Sequence, residues 1–190
     1  SGRRLYEAYI NGHRIGTQVL APGPTNYDRE VMYNTFDVTR EIRRGANAIG
    51  VVLGNGRFMA MRNPGMRGFG LPRLLAQLVV TTTDGRQTVI ATDTSWRMMA
   101  DGPIQTSNEF DGERYDATRE MPGWSLAGYD DSRWRQAERV KTPAPVVRAQ
   151  INPNIEVMDS VAPRSIDRPA DGRCIMHRGP HMVRWLLGRI

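Results

Sequence analysis

The stretch Leu5-Tyr6-Glu7-Ala8-Tyr9-Ile10-Asn11-Gly12, continuing through His13 to Leu20, decides the reading of the fold. From Leu5 to Ile10 apolar residues alternate with polar or small ones, the period of a strand with one face on a core and one in water. Asn11-Gly12 is the strongest short hairpin signal, because both residues tolerate the positive φ that a tight two-residue turn requires. Arg14 to Leu20 is then the returning strand. The same grammar recurs further on. Val31 to Val38 alternates, with Tyr33 and Phe36 marking a change of face or a bulge. Ala48 to Leu53 is a short apolar run, as expected of a strand covered on both sides. Leu74 to Thr82 and Gln87 to Thr92 flank Asp84-Gly85, another hairpin. Only Thr39-Arg40-Glu41-Ile42-Arg43 looks helical, as a single turn capped by Thr39 and ended by Gly45. Short strands separated by Gly, Pro and Asn-Gly turns predict an all-β, antiparallel β-sandwich with little helix.

Composition narrows the class. The 190 residues are 39% hydrophobic and include four tryptophans, enough to bury a sizeable core. No run of about 18 apolar residues occurs, so no helical membrane span is expected. The net charge is +6, carried almost wholly by arginine, with Lys141 as the sole lysine. These arginines are scattered singly or in pairs such as Arg43-Arg44, without the stripe or motif that nucleic-acid binding calls for. Arginine equally suits bidentate pairing with carboxylates. Cys174 is the single cysteine, so no internal disulfide can form. A periplasmic or secreted location is still compatible with a domain of this size. His177 and His181 have helical ligand spacing, but Gly179-Pro180 between them forbids the helical turn.

The polar chemistry concentrates in Asn108-Glu109-Phe110-Asp111-Gly112-Glu113-Arg114-Tyr115-Asp116-Ala117, where four carboxylates fall within eight residues. Carboxylates this close repel unless a cation, an arginine or a set of hydroxyls shares them. If the stretch is extended, Glu109, Asp111 and Glu113 share a face and Asp116 takes the other. Three oxygen donors on one face suit calcium, which takes six to eight oxygen ligands. The alternative is a solvated hairpin, or a structural network with Arg57, Arg67 or Arg114. The Gly-, Met- and Pro-rich segment from Asn55 to Pro72 is longer than most loops inside a compact domain, and such loops are usually functional or mobile. Its Asn55, Arg57, Asn63 and Arg67 are of the type that reads hydroxyls and carbonyls. Met59, Met61 and Met66 are read as gap fillers. Aromatic rings stack on sugar faces, which brings Trp124 into consideration. Trp96 and Trp134 instead follow Asp-x-Ser turns, where they would plug the edge of the core.

Several of these phrases occur together in one family. Leu53-Gly54-Asn55-Gly56-Arg57-Phe58, Asp111-Gly112-Glu113-Arg114-Tyr115-Asp116-Ala117 and Gly128-Tyr129-Asp130-Asp131-Ser132-Arg133-Trp134, with Leu5–Gly12 and Tyr33–Thr39, resemble the N-terminal β-sandwich of bacterial α-L-rhamnosidases of glycoside hydrolase family 78. The likeness runs from about Arg4 to Arg139. It implies a jelly-roll, galactose-binding-like sandwich over residues 1–140, with 141–190 as a linker at Thr142-Pro-Ala-Pro145 and the start of the following β domain. The opening strand of that next domain tends to carry D-x-G-Q-N-x-x-G in the family; the matching positions here, His177 to Arg184, depart from it. The resemblance also places the catalytic acids in an (α/α)6 barrel outside this sequence. A glycosidase needs two carboxylates flanking the scissile bond, and the acidic cluster does not supply such a pair. The chain by itself is therefore expected to be inactive, with no catalytic residue. Its implied partners are a rhamnose-containing carbohydrate and the remainder of the parent glycosidase, with neither nucleic acid nor membrane. Some domains of this kind bind L-rhamnose with calcium. The candidate carbohydrate-binding residues are Asn55, Arg57, Asn63, Glu109, Asp111, Glu113 and Trp124, and the candidate calcium ligands are Glu109, Asp111 and Glu113. The competing role is purely structural, packing on the barrel.

Overall fold

The computed structural model describes residues 5–56, 70–108, 112–141, 146–160, 162, 164–167 and 175–177. The chain forms two compact units, Ser1–Ile155 and Glu156–Ile190. The protein is all-β, and Ala117–Arg119 forms a 3-10 turn.

The first unit opens with β1 (Tyr6–Ile10), which folds back on β2 (His13–Arg14) across Asn11-Gly12, with Ile10 opposite His13. Both turn residues have positive φ, 51° and 85°, as the two-residue hairpin demands. The returning segment is not one strand. It breaks at Gly16-Thr17 and resumes as β3 (Gln18–Val19). Gly16 has φ 74°, and a methyl there would fall 2.8 Å from the Phe36 ring and closer still to the Gln18 side chain, so the chain must bend where the alternating pattern would have kept it straight.

The next strand, β4 (Glu30–Tyr33), buries Val31 and Met32 and stops before Asn34, shorter than the alternation to Val38 predicts. Asp37 ends that pattern by accepting from the amide and hydroxyl of Thr39, at 3.0 and 2.6 Å. This makes Asp37, not Thr39, the capping residue of the turn that follows. On the other side of β1 lies β5 (Ile49–Leu53), antiparallel, with Tyr6 opposite Leu53 and Ile10 opposite Ile49. Its residues are half-buried, less covered than a fully apolar run suggests.

Three antiparallel pairs follow. β6 (Gln77–Thr81) pairs with β7 (Gln87–Ala91) around Asp84-Gly85, β8 (Arg97–Met98) pairs with β11 (Arg135–Gln136), and β9 (Ile104–Asn108) pairs with β10 (Gly112–Tyr115). A later strand, β12 (Val146–Ala149), lies C-terminal to the proline-rich stretch and returns to pair in parallel with β4, Val146 opposite Glu30 and Ala149 opposite Tyr33. An Arg148–Glu30 ion pair of 3.5 Å reinforces this ladder. In the second unit, Ser165–Asp167 pairs antiparallel with Ile175–His177.

The most buried apolar side chains are Ile10, Ile15, Ala21, Tyr27, Val31 and Met32, so the core sits between β1 and β4. Trp96 and Trp134 are half-buried directly after their Asp-x-Ser turns, and Trp134 meets Tyr129 edge-on with ring centroids 5.7 Å apart. Two tyrosines of β1 carry an alkaline signature. Burial pushes the Tyr6 hydroxyl up to about 12, against the pull of a hydrogen bond with Gln18. Tyr9 also rises to about 12, through burial first and then the Glu7 carboxylate that its hydroxyl donates to. Both folded values exceed the unfolded one, so their contribution is intact below pH 10 and is lost as pH rises from about 10 to 12. Ultraviolet titration of tyrosinate is expected to show two late-ionising groups, with stability falling over that same interval.

Candidate functional site

The end of β5 and the β9–β10 hairpin meet. Gly54 donates its amide to the Leu5 carbonyl at 2.8 Å, which extends the β1–β5 ladder by one step and places Asn55 at its end. A methyl at Gly54 would lie 3.4 Å from the Ser107 hydroxyl oxygen, so β9 packs against this backbone. Ser107 is directly opposite Glu113 on β10. Residues directly opposite in an antiparallel pair project from the same face, which puts the Glu113 side chain on the face that meets Gly54. Among the described residues, neither Asn55 nor Glu113 is engaged in a side-chain hydrogen bond or ion pair.

Asn108 and Gly112 face each other across the β9–β10 ladder, and Glu113 sits on β10 opposite Ser107. Glu109, Asp111, Arg57 and Asn63 lie outside the described residues, as do Met59, Met61, Met66, Arg67, Cys174 and His181. Among the described residues no three His, Cys, Asp or Glu side chains gather as a metal site. Of the proposed calcium ligands, Glu113 alone is among them.

Asp116 has a different task. It caps Ala117–Arg119, accepting from the Thr118 amide at 3.0 Å and hydroxyl at 2.6 Å. Those bonds, and Arg119 with its Nε at 3.0 Å, hold the Asp116 carboxyl below the usual carboxylate range. Arg119 also pairs with Asp101, so it bridges two acids. Among the described residues, the arginine that pairs with Asp116 is thus Arg119; Arg57 and Arg67 lie outside the described residues. The spacing could have revealed this, since Asp116-Ala117-Thr118 repeats the Asp-x-Ser/Thr pattern seen at Asp93 and Asp130.

Trp124 is half-buried, and its ring stands edge-on to Tyr9 with centroids 5.3 Å apart and planes at 72°. Its far edge covers Gly50, where an added methyl would fall 2.4 Å from Cζ3. In this position the indole packs on the β1–β5 sheet.

A second polar region, missed by sequence reasoning, gathers around Asn34. Its Nδ2 donates to Gln150 Oε1 at 3.1 Å and its Oδ1 accepts from the Tyr6 hydroxyl at 2.9 Å. Gln150 Nε2 donates to Asn154 Oδ1 and to the Asn152 carbonyl, both at 3.0 Å. The sequence offered only a chain break at Asn152-Pro153; the partners lie 116 residues apart, beyond any local signal.

Comparison with known proteins gives these features a family context. Residues 1–159 match the model of the α-L-rhamnosidase N-terminal domain. The chain is 37% identical over 184 residues to an α-L-rhamnosidase of Streptomyces avermitilis, covering 94% of this chain and 18% of the relative. The solved α-L-rhamnosidase of Dictyoglumus thermophilum superposes with a TM-score of 0.79 at 38% identity, over 92% of this chain and 19% of that one. The Streptomyces avermitilis α-L-rhamnosidase complexed with L-rhamnose gives a TM-score of 0.81 at 35% identity, over 93% and 17%. The chain spans about a fifth of the length of the curated relatives it matches. No helix among the described residues is long and apolar enough to cross a membrane. By its sequence and its fold, this chain belongs to the α-L-rhamnosidase N-terminal domain family.

Proposed function

We propose that this chain is a non-catalytic, accessory part of an α-L-rhamnosidase that contacts a rhamnose-containing carbohydrate where Gly54-Asn55 meets the β9–β10 hairpin. The observation that carries this reading is the approach of Gly54 to Ser107, which sits directly opposite Glu113 on β10. An amide and a carboxylate on neighbouring elements suit sugar hydroxyls. With Glu109 and Asp111 close in sequence, the same end offers oxygen donors to calcium. Bond cleavage is assigned to the remainder of the parent enzyme, so this chain is expected to leave an aryl α-L-rhamnoside intact.

The test is calorimetric titration of the chain with L-rhamnose, with and without calcium, alongside thermal unfolding. Calcium at a hundredfold over its Kd adds about 2.7 kcal/mol, which is roughly 5–10 °C for a chain of this size. Glu113→Gln is expected to reduce both the shift and the sugar heat. A midpoint unmoved by millimolar calcium, with no rhamnose heat, would refute the reading.

One observation favours a second, structural reading. The β6–β7 hairpin leaves Val79 and Val89 exposed, directly opposite each other on one face. Such a face suits docking on another part of the parent enzyme.

A further inference from the structure

A concave cleft of about 380 Å³ opens between the end of β4 and the segment that follows β12. Its volume lies within the range of small-molecule sites. Tyr33, Asn34, Thr35, Gln150, Asn152 and Asn154 line it, and no carboxylate, amine or guanidinium does. Gln150 is fully used: Oε1 accepts from the Asn34 side chain and the Gly23 amide, both at 3.1 Å, and Nε2 serves Asn152 and Asn154. This fixed amide orients its neighbours. Asn154 spends its Oδ1 on Gln150 and Asn34, at 3.0 and 3.5 Å, so its NH2 takes no part in those bonds. Among the described residues, the Asn152 amide and the hydroxyls of Thr35 and Tyr33 also have no hydrogen-bond partner.

We infer that this cleft is a second carbohydrate-binding site, for a neutral pyranose presenting adjacent hydroxyls. Three features select that ligand class. Uncharged amides and hydroxyls carry both donors and acceptors, matching hydroxyls that do the same. An ionic ligand would find no counter-charge in the lining. The Tyr33 side chain, 36% exposed, adds an apolar ring face of the kind that packs on the C–H face of a sugar. The site is separate from the hairpin reading above, and neither depends on the other.

Nuclear magnetic resonance on the chain, with separate titrations of L-rhamnose, D-glucose and D-galactose, discriminates the two. At least one sugar is expected to shift the side-chain NH2 signals of Asn152 and Asn154 in a saturable way, and to do so equally at low and high sodium chloride, since no charge is involved. Asn154→Ala, at an exposed position, is expected to weaken that binding roughly fivefold to tenfold, the loss of about one neutral hydrogen bond. Tyr33→Ala is expected to weaken it too, without moving the Gly54 and Glu113 amides. Shifts confined to Gly54, Asn55 and Glu113 would overturn the cleft site and leave the hairpin reading standing. No saturable shift at Asn152 and Asn154 with any of the three sugars would also overturn it.

Discussion

Replacing Asn11 with alanine is expected to cost about 3–5 kcal/mol, the largest loss from any single side chain of the first hairpin. Asn11 is 5% exposed and does two jobs. Its backbone holds the positive φ of 51° that the turn needs. Its side chain donates to the Glu41 carbonyl at 2.9 Å and to Asn47 Oδ1 at 2.8 Å, and accepts from the Ala48 amide at 2.9 Å. Alanine would leave a half-buried N–H and C=O without partners, at about 1–2 kcal/mol each, the lower part of the range for buried groups. The left-handed conformation adds about 1 kcal/mol for a residue without a local polar side chain. For a chain of this size the sum lowers Tm by roughly 6–20 °C. Asn11→Gly separates the contributions, since it relieves the backbone strain but restores no hydrogen bond, and it is expected to recover only the smaller share. A loss under about 1 kcal/mol for Asn11→Ala in chemical denaturation would show that these bonds contribute little.

The second large effect is expected at Gly50, where nothing but van der Waals crowding is involved. A methyl at this position would lie 2.4 Å from Trp124 Cζ3, 2.9 Å from Cη2 and 3.2 Å from Ser125 Cβ. The indole is braced by Tyr9, and the Ser125 backbone is held by the Gly12 amide at 3.0 Å, so retreat is restricted. Overpacking of this kind costs about 1–3 kcal/mol, partly offset by the roughly 0.4–1 kcal/mol that Gly→Ala gains by restricting the unfolded chain. The decisive measurement is a double-mutant cycle. With Trp124→Leu the methyl has room, and Gly50→Ala is expected to become neutral or stabilising. Equal costs in both backgrounds would mean that the indole is not the obstacle.

How much of this was readable beforehand differs from element to element. The β1–β2 turn and the β6–β7 hairpin were legible because their signals are local: Asn11-Gly12 and Asp84-Gly85 sit between alternating runs, and turn chemistry fixes the register. The end of β4 was not. Alternation continues to Val38, but the strand stops at Tyr33, and Asp37 takes up the Thr39 amide instead of continuing a ladder. Asp116 misled in the opposite direction. Counted as one more charge in an acidic cluster, it is a helix cap whose oxygens are already committed. Of Glu109, Asp111 and Glu113, Glu113 is the one among the described residues, on β10 opposite Ser107. Asn11 itself was recognised as a turn former while its second role stayed hidden, since Glu41 and Asn47 become its neighbours only in three dimensions. The cleft around Asn34 is the extreme case, because isolated amides carry no sequence pattern at all.

The parallel pairing of β12 with β4 sets a temporal order on this molecule. Every hairpin of the first unit can close as soon as its own residues leave the ribosome, because loop closure over a few residues is cheap and quick. The edge of β4 cannot. It must wait, carrying Val31 and Met32, until Val146–Ala149 has been synthesised. A nascent chain therefore passes through a stage with its hairpins made and one apolar edge open, the condition in which strands pair with the wrong neighbour. The clasp that ends this exposure is itself solvent-facing along its whole length, so it is also the natural first strand to let go. Because Gln150 to Asn154 follow directly from that strand, anything bridging Asn34 and Asn154 would fasten this late-made connection of the fold. Occupancy of the cleft and the lifetime of the finished sandwich would then be two readings of one equilibrium.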